Sequence, residues 1–302
     1  MASRARWEIP ADVVSRCMCL HGDDVVRQWL AEANVLAASC EEEWVLRIDG
    51  FLPGGSLSCV LACRRDDGSP AVLKLLAPWA AESTGAEALA LTAWNGRGAA
   101  ALLERTPDGR ALLLSRVSPG TAFVPSGSDE LDCERVAGTL RVLASAPTPD
   151  ELPPLSEALR ARFARARGMA GQRQEWITAQ DLDDAEQRAV ALAISAGDRG
   201  LVHGDAQDKN LLLSDLGGTL VAIDPEPSVG DRHFDAALWA LTHRPGVGVR
   251  ERCALLAGLL ALDATRLWEW CLVLAVAEVA LEVADRARAH HEFLAQASHD
   301  AR

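Results

Sequence analysis

Lysine is nearly missing from this 302-residue chain: Lys74 and Lys209 stand against 28 arginines. A chain that uses Arg almost everywhere keeps Lys where a compact ammonium on a slim stem is wanted instead of a planar fork. A basic surplus is missing as well. The formal net charge is −13. The residues through Gly120 carry 12 basic and 15 acidic side chains, and the remainder carries 18 and 28. A phosphate backbone rewards a basic face, so the charge balance argues against nucleic acid as a partner. The acidic second half instead suits a cationic ligand. Long apolar runs are lacking too. Met1–Pro10 has Arg4, Arg6 and Trp7-Glu8 where a signal peptide needs an apolar core. The most apolar stretch, Leu267–Ala284, is interrupted by Glu269, Glu278 and Glu282, which predicts a helix buried in a soluble domain and no membrane span. The eight cysteines (17, 19, 40, 59, 63, 133, 253 and 271) form no C-x-x-C pair, and no histidines stand at ligand spacing. The expectation is reduced, mostly buried thiols in a cytoplasmic protein.

What is present divides the chain into two parts. After a helical stretch at Asp23–Ala38, Trp44–Ile48, Leu57–Cys63 and Ala71–Leu76 are strand-like and separated by turn clusters. Glu82–Trp94 has apolar residues at helical spacing. Ala101–Glu104 and Arg110–Val117 bracket Pro107-Asp108-Gly109 and predict a second hairpin. Ser118-Pro119-Gly120 interrupts the pattern, so the expected lobes are residues 1–117 and 118–302. Beyond it helices are expected at Asp129–Ala146, Ser156–Arg167, Asp181–Ala196, Arg232–Thr242, Arg250–Ala261 and Ala264–Arg288. The strand-like part of the second half is Leu201–Ile223.

The chemistry concentrates there. Leu211–Leu213 and Leu220–Ile223 are short apolar strands joined by a Gly-Gly turn, which predicts antiparallel pairing. Such pairing sets the start of one strand beside the end of the other, so Asn210 and Asp224 meet at one edge. Asp205 precedes them in Leu201-Val202-His203-Gly204-Asp205-Ala206-Gln207-Asp208-Lys209-Asn210. Mg²⁺ takes one or two carboxylates plus substrate phosphates. Asn210 and Asp224 supply oxygen ligands for it, which leaves Asp205 to accept a proton from an attacking hydroxyl. His203 is read as a residue that hydrogen-bonds the loop in place.

This stretch resembles the kinase catalytic loop H-x-D-x-x-x-x-N followed by a metal-binding Asp, here in Ile223-Asp224-Pro225. Ala71-Val72-Leu73-Lys74-Leu75 resembles the Val-Ala-Ile-Lys strand. The likeness implies that Lys74 contacts the α- and β-phosphates, braced by Glu87 on the next helix, with Glu82 as the competitor. Gly54, Gly55 and Ser56 stand where a phosphate-covering loop belongs. Ser115 and Val117 stand where backbone groups meet the purine.

The chain as a whole resembles the aminoglycoside phosphotransferases, and within them the branch of streptomycin 6-kinases and hydroxyurea-type resistance kinases. Ala71–Leu76, Glu87–Trp94 with Gly96-Arg97-Gly98-Ala99, Leu112–Gly120 and above all Ala222–Asp235 carry that likeness. It implies an α+β, bilobal protein-kinase-like fold, with a small N-terminal lobe of β-sheet plus one helix and a larger, mostly helical C-terminal lobe. It also implies Mg²⁺ with ATP or GTP as donor, and a hydroxyl of a cationic antibiotic, streptomycin first, as acceptor. Glu226 is expected to meet a guanidinium or ammonium of that substrate, and Asp205 its hydroxyl. Ala206 and Gln207 depart from the family pattern, where a bulkier residue and a His are expected. Ser115 stands where the branch often has Glu. A tuberactinomycin-type peptide, hydroxyurea, or a metabolic sugar or amino alcohol are the rival acceptors. A binding protein on a kinase scaffold is the rival of another class.

Overall fold

The structure is a computed structural model and describes residues 7, 9–11, 14–15, 17–18, 22–52, 58–77, 84–172, 175–215 and 218–300. The backbone divides into two units: one of residues 1–96 and 100–117, the other of residues 97–99 and 118–302.

In the first unit, helix α1 (Asp23–Glu43) leads into strands β1 (Arg47–Phe51), β2 (Ser58–Arg64) and β3 (Pro70–Leu76). Helix α2 (Thr84–Trp94) follows, then β4 (Leu102–Arg105) and β5 (Ala111–Ser115). The five strands form one sheet in the order β1-β2-β3-β5-β4, with antiparallel neighbours throughout. Alternation along β3 decides its two faces. Ala71, Leu73 and Leu75 join a core with Leu61, Ala111 and Leu113, covered by Trp29, Ala33, Ala37 and Cys40 of α1. Lys74 falls between them and so belongs to the opposite face, where it is nevertheless buried. Helix α1 runs five residues past the expected Ala38, and the first strand begins at Arg47 instead of Trp44. Trp44 donates its N–H to Cys40 O as the helix C-cap and Val45 takes φ 50°, so the expected start of the strand is spent on leaving the helix. Glu82 and the loop carrying Gly54, Gly55 and Ser56 lie outside the described residues.

The second unit contains α3 (Asp129–Ala144), α4 (Leu155–Met169), α5 (Ala179–Ile194), α6 (His233–Thr242), α7 (Val249–Leu260), α8 (Ala264–Leu281) and α9 (Ala284–Asp300). Its strands are β6 (Pro119–Ala122), β7 (Arg199–Val202), β8 (Leu211–Ser214), β9 (Leu220–Ala222) and β10 (Ser228–Asp231). They form a three-stranded sheet ordered β6-β8-β9 and a pair β10-β7. The expected helix Ala264–Arg288 is two helices. Glu282 turns extended (φ −88°, ψ 164°) and α9 packs back on α8, burying Ala287, His290 and Phe293. No Gly or Pro marks that break, so a periodicity argument runs straight through it; tertiary packing imposes it. Strands β6 and β10 were not expected either. Both are Gly- or Pro-containing and become strands by pairing with β8 and β7.

The described cysteines 17, 40, 59, 63, 133, 253 and 271 are free thiols. Burial pushes Cys40, Cys59 and Cys133 up to about 12, so they serve as small apolar fillers. Among the described residues no helix is long and apolar enough to cross a membrane.

Candidate active site

In the sheet unit, Lys74 Nζ donates to both carboxylate oxygens of Glu87, at 2.7 Å each, and both side chains are buried. The pair spans 13 residues, from the middle of β3 to the first turn of α2. A buried ammonium and carboxylate are tolerated only when each satisfies the other. At the end of β5, Ser115 donates its N–H to Ala101 O (2.8 Å), and its Oγ accepts from Ala101 N (2.9 Å). The N–H of Ser115 is thus bonded within the sheet unit, and its carbonyl and Val117 are the backbone groups left at this end of β5.

In the helical unit the loop between β7 and β8 is closed at its start by a carboxylate from far along the chain. Asp235, in the first turn of α6, accepts from His203 N at 2.7 Å and from Gly204 N at 2.9 Å. Burial pushes the Asp235 carboxyl up from its ordinary value, while His203 and these N–H donors oppose the shift. His203 is fully buried and burial lowers its imidazole below the usual range; its Nδ1 accepts from Asp205 N at 3.3 Å. Gly204 has φ 84°, and a Cβ there would sit 1.9 Å from Glu226 O. Only glycine lets the loop pass that backbone, to which His203 O is bonded through Glu226 N at 2.9 Å,.

Three donors converge on Asp205. Gln207 Nε2 reaches Oδ1 at 2.7 Å, Asn210 Nδ2 reaches Oδ2 at 2.8 Å, and Lys209 Nζ lies 3.1 Å from Oδ2. Asn210 Nδ2 also donates to Asp205 O at 2.9 Å. Burial works against the Lys209 charge, but Asp205, then Glu282 and Asp224, outweigh it and raise the ammonium above the ordinary lysine value. Strand β8 pairs antiparallel with β9, Leu211 opposite Ala222, and Ile223 N donates to Asn210 O at 2.9 Å. The register therefore sets Asn210 beside the end of β9, directly before Asp224. Asp224 turns away from the strand at φ 54°, a left-handed backbone that Asp tolerates better than most residues,.

The donor set suits a hard cation. Both Asn210 bonds to Asp205 are made by Nδ2, which leaves its Oδ1 for a metal, and Asp224 adds a carboxylate,. Among the described residues no group of three or more His, Cys, Asp or Glu side chains could hold a metal alone. A cation here would complete its shell with water and phosphate oxygens, as Mg²⁺ does.

Several supports were invisible in the motif. Asp208 accepts from Trp239 Nε1 at 2.8 Å and pairs with His243 Nδ1 at 2.8 Å. His243 Nε2 lies 3.3 Å from Asp132 Oδ2, and its ring stacks on Trp239 at 4.3 Å between centroids. This cluster clamps the single turn Asp208–Asn210 from beneath. Asp231 accepts from His233 N at 3.0 Å, His233 Nδ1 at 2.7 Å, Arg266 Nε at 2.6 Å and Trp270 Nε1 at 2.8 Å. Burial works against its charge, but these donors hold its carboxyl down at about 2. Arg162 and Glu278 form a buried pair; burial opposes the guanidinium charge, while Glu278, then Asp205 and Glu226, sustain it. Glu226 is partly exposed and its Oε2 accepts from Arg165 Nη2 at 2.8 Å. Asp231 and Asp235 lie inside the Ala222–Asp235 stretch that carries the family likeness, and Asp231 is placed to cap the helix that follows,; nothing local marks Asp132, Arg162 or His243.

Residues 43–285 match the model of a family described as aminoglycoside/hydroxyurea antibiotic resistance kinase. A hydroxyurea phosphotransferase of Kitasatospora aureofaciens is 34% identical over 283 residues, covering 92% of this chain and 81% of that protein. A streptomycin 6-kinase of Streptomyces griseus is 32% identical over 289 residues, 90% of each. Among solved structures, amicoumacin kinase hAmiN in complex with AMP-PNP, Ca²⁺ and Ami superposes with a TM-score of 0.63 at 16% identity, over 88% of this chain and 93% of that one. A choline kinase of Cryptosporidium parvum Iowa II gives 0.63 at 10%, over 89% and 96%. At such identities these two likenesses speak to the fold, which is protein-kinase-like.

Proposed function

This chain belongs to the aminoglycoside/hydroxyurea antibiotic resistance kinases, and from that premise we propose that it moves the γ-phosphate of Mg-ATP or Mg-GTP to a ring hydroxyl of streptomycin or a close guanidinylated relative. That it is an antibiotic kinase follows from the family itself. The observation that carries the chemistry is the Asp205 loop: a carboxylate held by Gln207 and Asn210, with Asp224 brought beside Asn210 by the β8–β9 register.

Phosphoryl transfer asks for positioning and charge neutralisation more than for covalent chemistry. Residues 1–117 act as the nucleotide-binding lobe, with Lys74, braced by Glu87, clamping phosphate oxygens. Gly54, Gly55 and Ser56 cover the phosphates, and Val117 with the carbonyl of Ser115 faces the purine. Residues 118–302 act as the catalytic and substrate lobe. Asn210 and Asp224 hold Mg²⁺, which when bound neutralises the phosphate oxygens. Asp205 orients the acceptor hydroxyl and takes its proton. Glu226 meets a cationic group of the acceptor, exchanging its bond to Arg165 for one to the ligand. Retention of Lys74, Asp205, Asn210 and Asp224 together argues against a binding protein on an inactive scaffold.

Streptomycin is favoured by the acidic second half and by the likeness of Ala222–Asp235 to the streptomycin-kinase branch. Hydroxyurea is the second reading, because the hydroxyurea phosphotransferase is at least as similar as the streptomycin kinase. One experiment separates them. Nucleotide consumption and acceptor mass are followed over a panel of aminoglycosides, tuberactinomycin-type peptides and hydroxyurea. The expected result is a gain of one phosphate on streptomycin. Its Michaelis constant should rise with salt, because charge steering is screened over about 8 Å at physiological ionic strength, while turnover at saturation changes little. Neutral hydroxyurea should show no such dependence. Phosphate on another panel member and none on streptomycin would overturn the acceptor and leave the kinase standing.

A further inference from the structure

Of the three donors on Asp205, two are themselves buried: Gln207 and Asn210. The third, Lys209, is 64% exposed along its side chain, yet its Nζ folds back to 3.1 Å from Oδ2, the oxygen that already accepts from Asn210. The carboxylate that it meets is only 12% exposed, and reaching it costs the rotamer freedom of a long side chain,. Composition does not explain the choice of lysine, since the chain places arginine at 28 of its 30 basic positions. A guanidinium presents a rigid planar fork, whereas an ammonium offers three rotatable donors on a flexible stem.

The place it occupies follows from the chemistry assigned to Asp205. An acceptor hydroxyl must come within about 2.6–3.2 Å of that carboxylate to give up its proton. Its oxygen must also stand roughly 3–3.5 Å from the phosphorus it attacks. The γ-phosphoryl oxygens therefore pass within about 6 Å of Asp205, inside the sweep of an ammonium already resting on the same carboxylate.

We propose that Lys209 is a further catalytic residue, whose ammonium donates to a non-bridging oxygen of the γ-phosphoryl group while that group is in flight. The inference rests on the reading of Asp205 as the group that takes the hydroxyl proton. In the step, the acceptor oxygen bonds to the γ-phosphorus, and the bond from phosphorus to the β–γ bridging oxygen breaks. Its electron pair stays on the nucleoside diphosphate, and the hydroxyl proton passes to Asp205. Lys209 neither gains nor loses a proton. It leaves Asp205 Oδ2 as that oxygen is protonated, and turns to the phosphoryl oxygens where negative charge then lies. Such a contact is made in the transition state and not in the ground state, so it acts on turnover and not on binding.

The test compares full-length wild type with Lys209→Met and Lys209→Arg, on the panel member that wild type phosphorylates best. Lys209→Met should lower turnover by about 10²-fold, the usual cost of one donor aimed at developing charge. Both Michaelis constants should stay within about two-fold. Calorimetry should give Lys209→Met an unchanged affinity for Mg–AMP-PNP. Its affinity for Mg-ADP with aluminium fluoride, a planar mimic of the transferring group, should fall by about the same factor as turnover. Lys209→Arg should recover part of both losses. Turnover within two-fold of wild type, a loss confined to Michaelis constants, or an undiminished affinity for the planar mimic would each overturn the assignment. Wild-type turnover on the panel judges the acceptor reading separately. If wild type phosphorylates nothing on the panel, the planar-mimic arm still decides Lys209.

Discussion

Lys74 and Glu87 in the sheet unit are buried partners over 13 residues of chain, Lys74 Nζ donating to both carboxylate oxygens of Glu87. Asp205 in the helical unit sits on a loop whose amides are held by Asp235, 31 and 32 residues away, and whose far turn is clamped by His243, 35 residues from Asp208. The first arrangement is a buried ion pair between neighbouring elements, in which removing either member leaves a buried charge facing its partner's place,. The second is a distributed network, in which several distant groups each hold one part of the loop. Removing a reacting group and removing a support should therefore separate cleanly in the helical unit, and should be inseparable in the sheet unit.

The largest effect expected is on chemistry alone. Asp205→Asn keeps the size of the side chain but offers one acceptor oxygen where Gln207 and Asn210 use two; it should still bind Mg-nucleotide by calorimetry, yet lose turnover by about 10²–10⁴-fold. Wild-type-like turnover would remove Asp205 from the mechanism.

The buried pair of Lys74 and Glu87 should behave otherwise. Lys74→Met takes the ammonium from buried Glu87 and should destabilise by about 3–5 kcal/mol in urea unfolding, besides abolishing activity. Adding Glu87→Leu should restore most of that stability while activity stays absent. Lys74→Arg should fail nearly as badly in turnover as Lys74→Met, because a planar guanidinium does not fit a point-charge site. Normal activity in Lys74→Arg would make the lysine an accident of composition.

Asp235→Ala probes the network through a residue assigned no chemistry. It leaves the N–H groups of His203 and Gly204 buried and unmatched, at about 1–3 kcal/mol each. Unfolding midpoints should drop accordingly, and Mg-nucleotide affinity should weaken as Asn210 loses its frame. An Asp235→Ala protein with full stability would show that the loop holds itself.

A smaller effect depends on pH. His290 is buried in α9, and neither of its ring nitrogens has a hydrogen-bond partner. Burial lowers it to about 4, with Glu278 opposing the shift. Between the unfolded value near 6.5 and about 4, the unfolded chain takes up a proton that the folded chain refuses. The stability due to neutral His290 is therefore complete above pH 6.5, falls as pH drops towards 4, and changes no further below that. The loss is on the order of 3 kcal/mol. Urea midpoints at pH 7 and pH 4.5 should converge in His290→Leu relative to wild type.

The smallest effect belongs to the exposed pair of Glu226 and Arg165. Glu226→Gln should alter stability by less than about 1 kcal/mol. It should raise the Michaelis constant of a cationic acceptor a few-fold at low salt and hardly at all at high salt. A Michaelis constant unmoved at low salt would leave Glu226 a surface carboxylate.

The β8–β9 hairpin was legible because its signals are local: two short apolar runs, a Gly-Gly turn, and a register that leaves Asn210 beside the end of β9. The meander β1–β3, helix α2 and most helices of the second unit were legible for the same reason, with ends shifted by a few residues. Strands β6 and β10 and the break at Glu282 were not. Their cause lies in a partner strand or a packed helix, and nothing in their own composition announces it. At the site, the motif marked Asp205, Asn210 and Asp224 as candidates but said nothing of Asp132, His243 or Arg162, because acids, histidines and arginines on helices look alike until something buries them.

The sequence by itself determined which residues share the loop, the turn and the hairpin, since steric limits and hydrogen bonds over a few residues leave little choice there. Only the tertiary structure decided which distant carboxylates and rings support that loop. Burying Asp132, Asp235 and His243 beneath it requires partners for every polar group, and those partners exist only where helices α3 and α6 pack around the strands,.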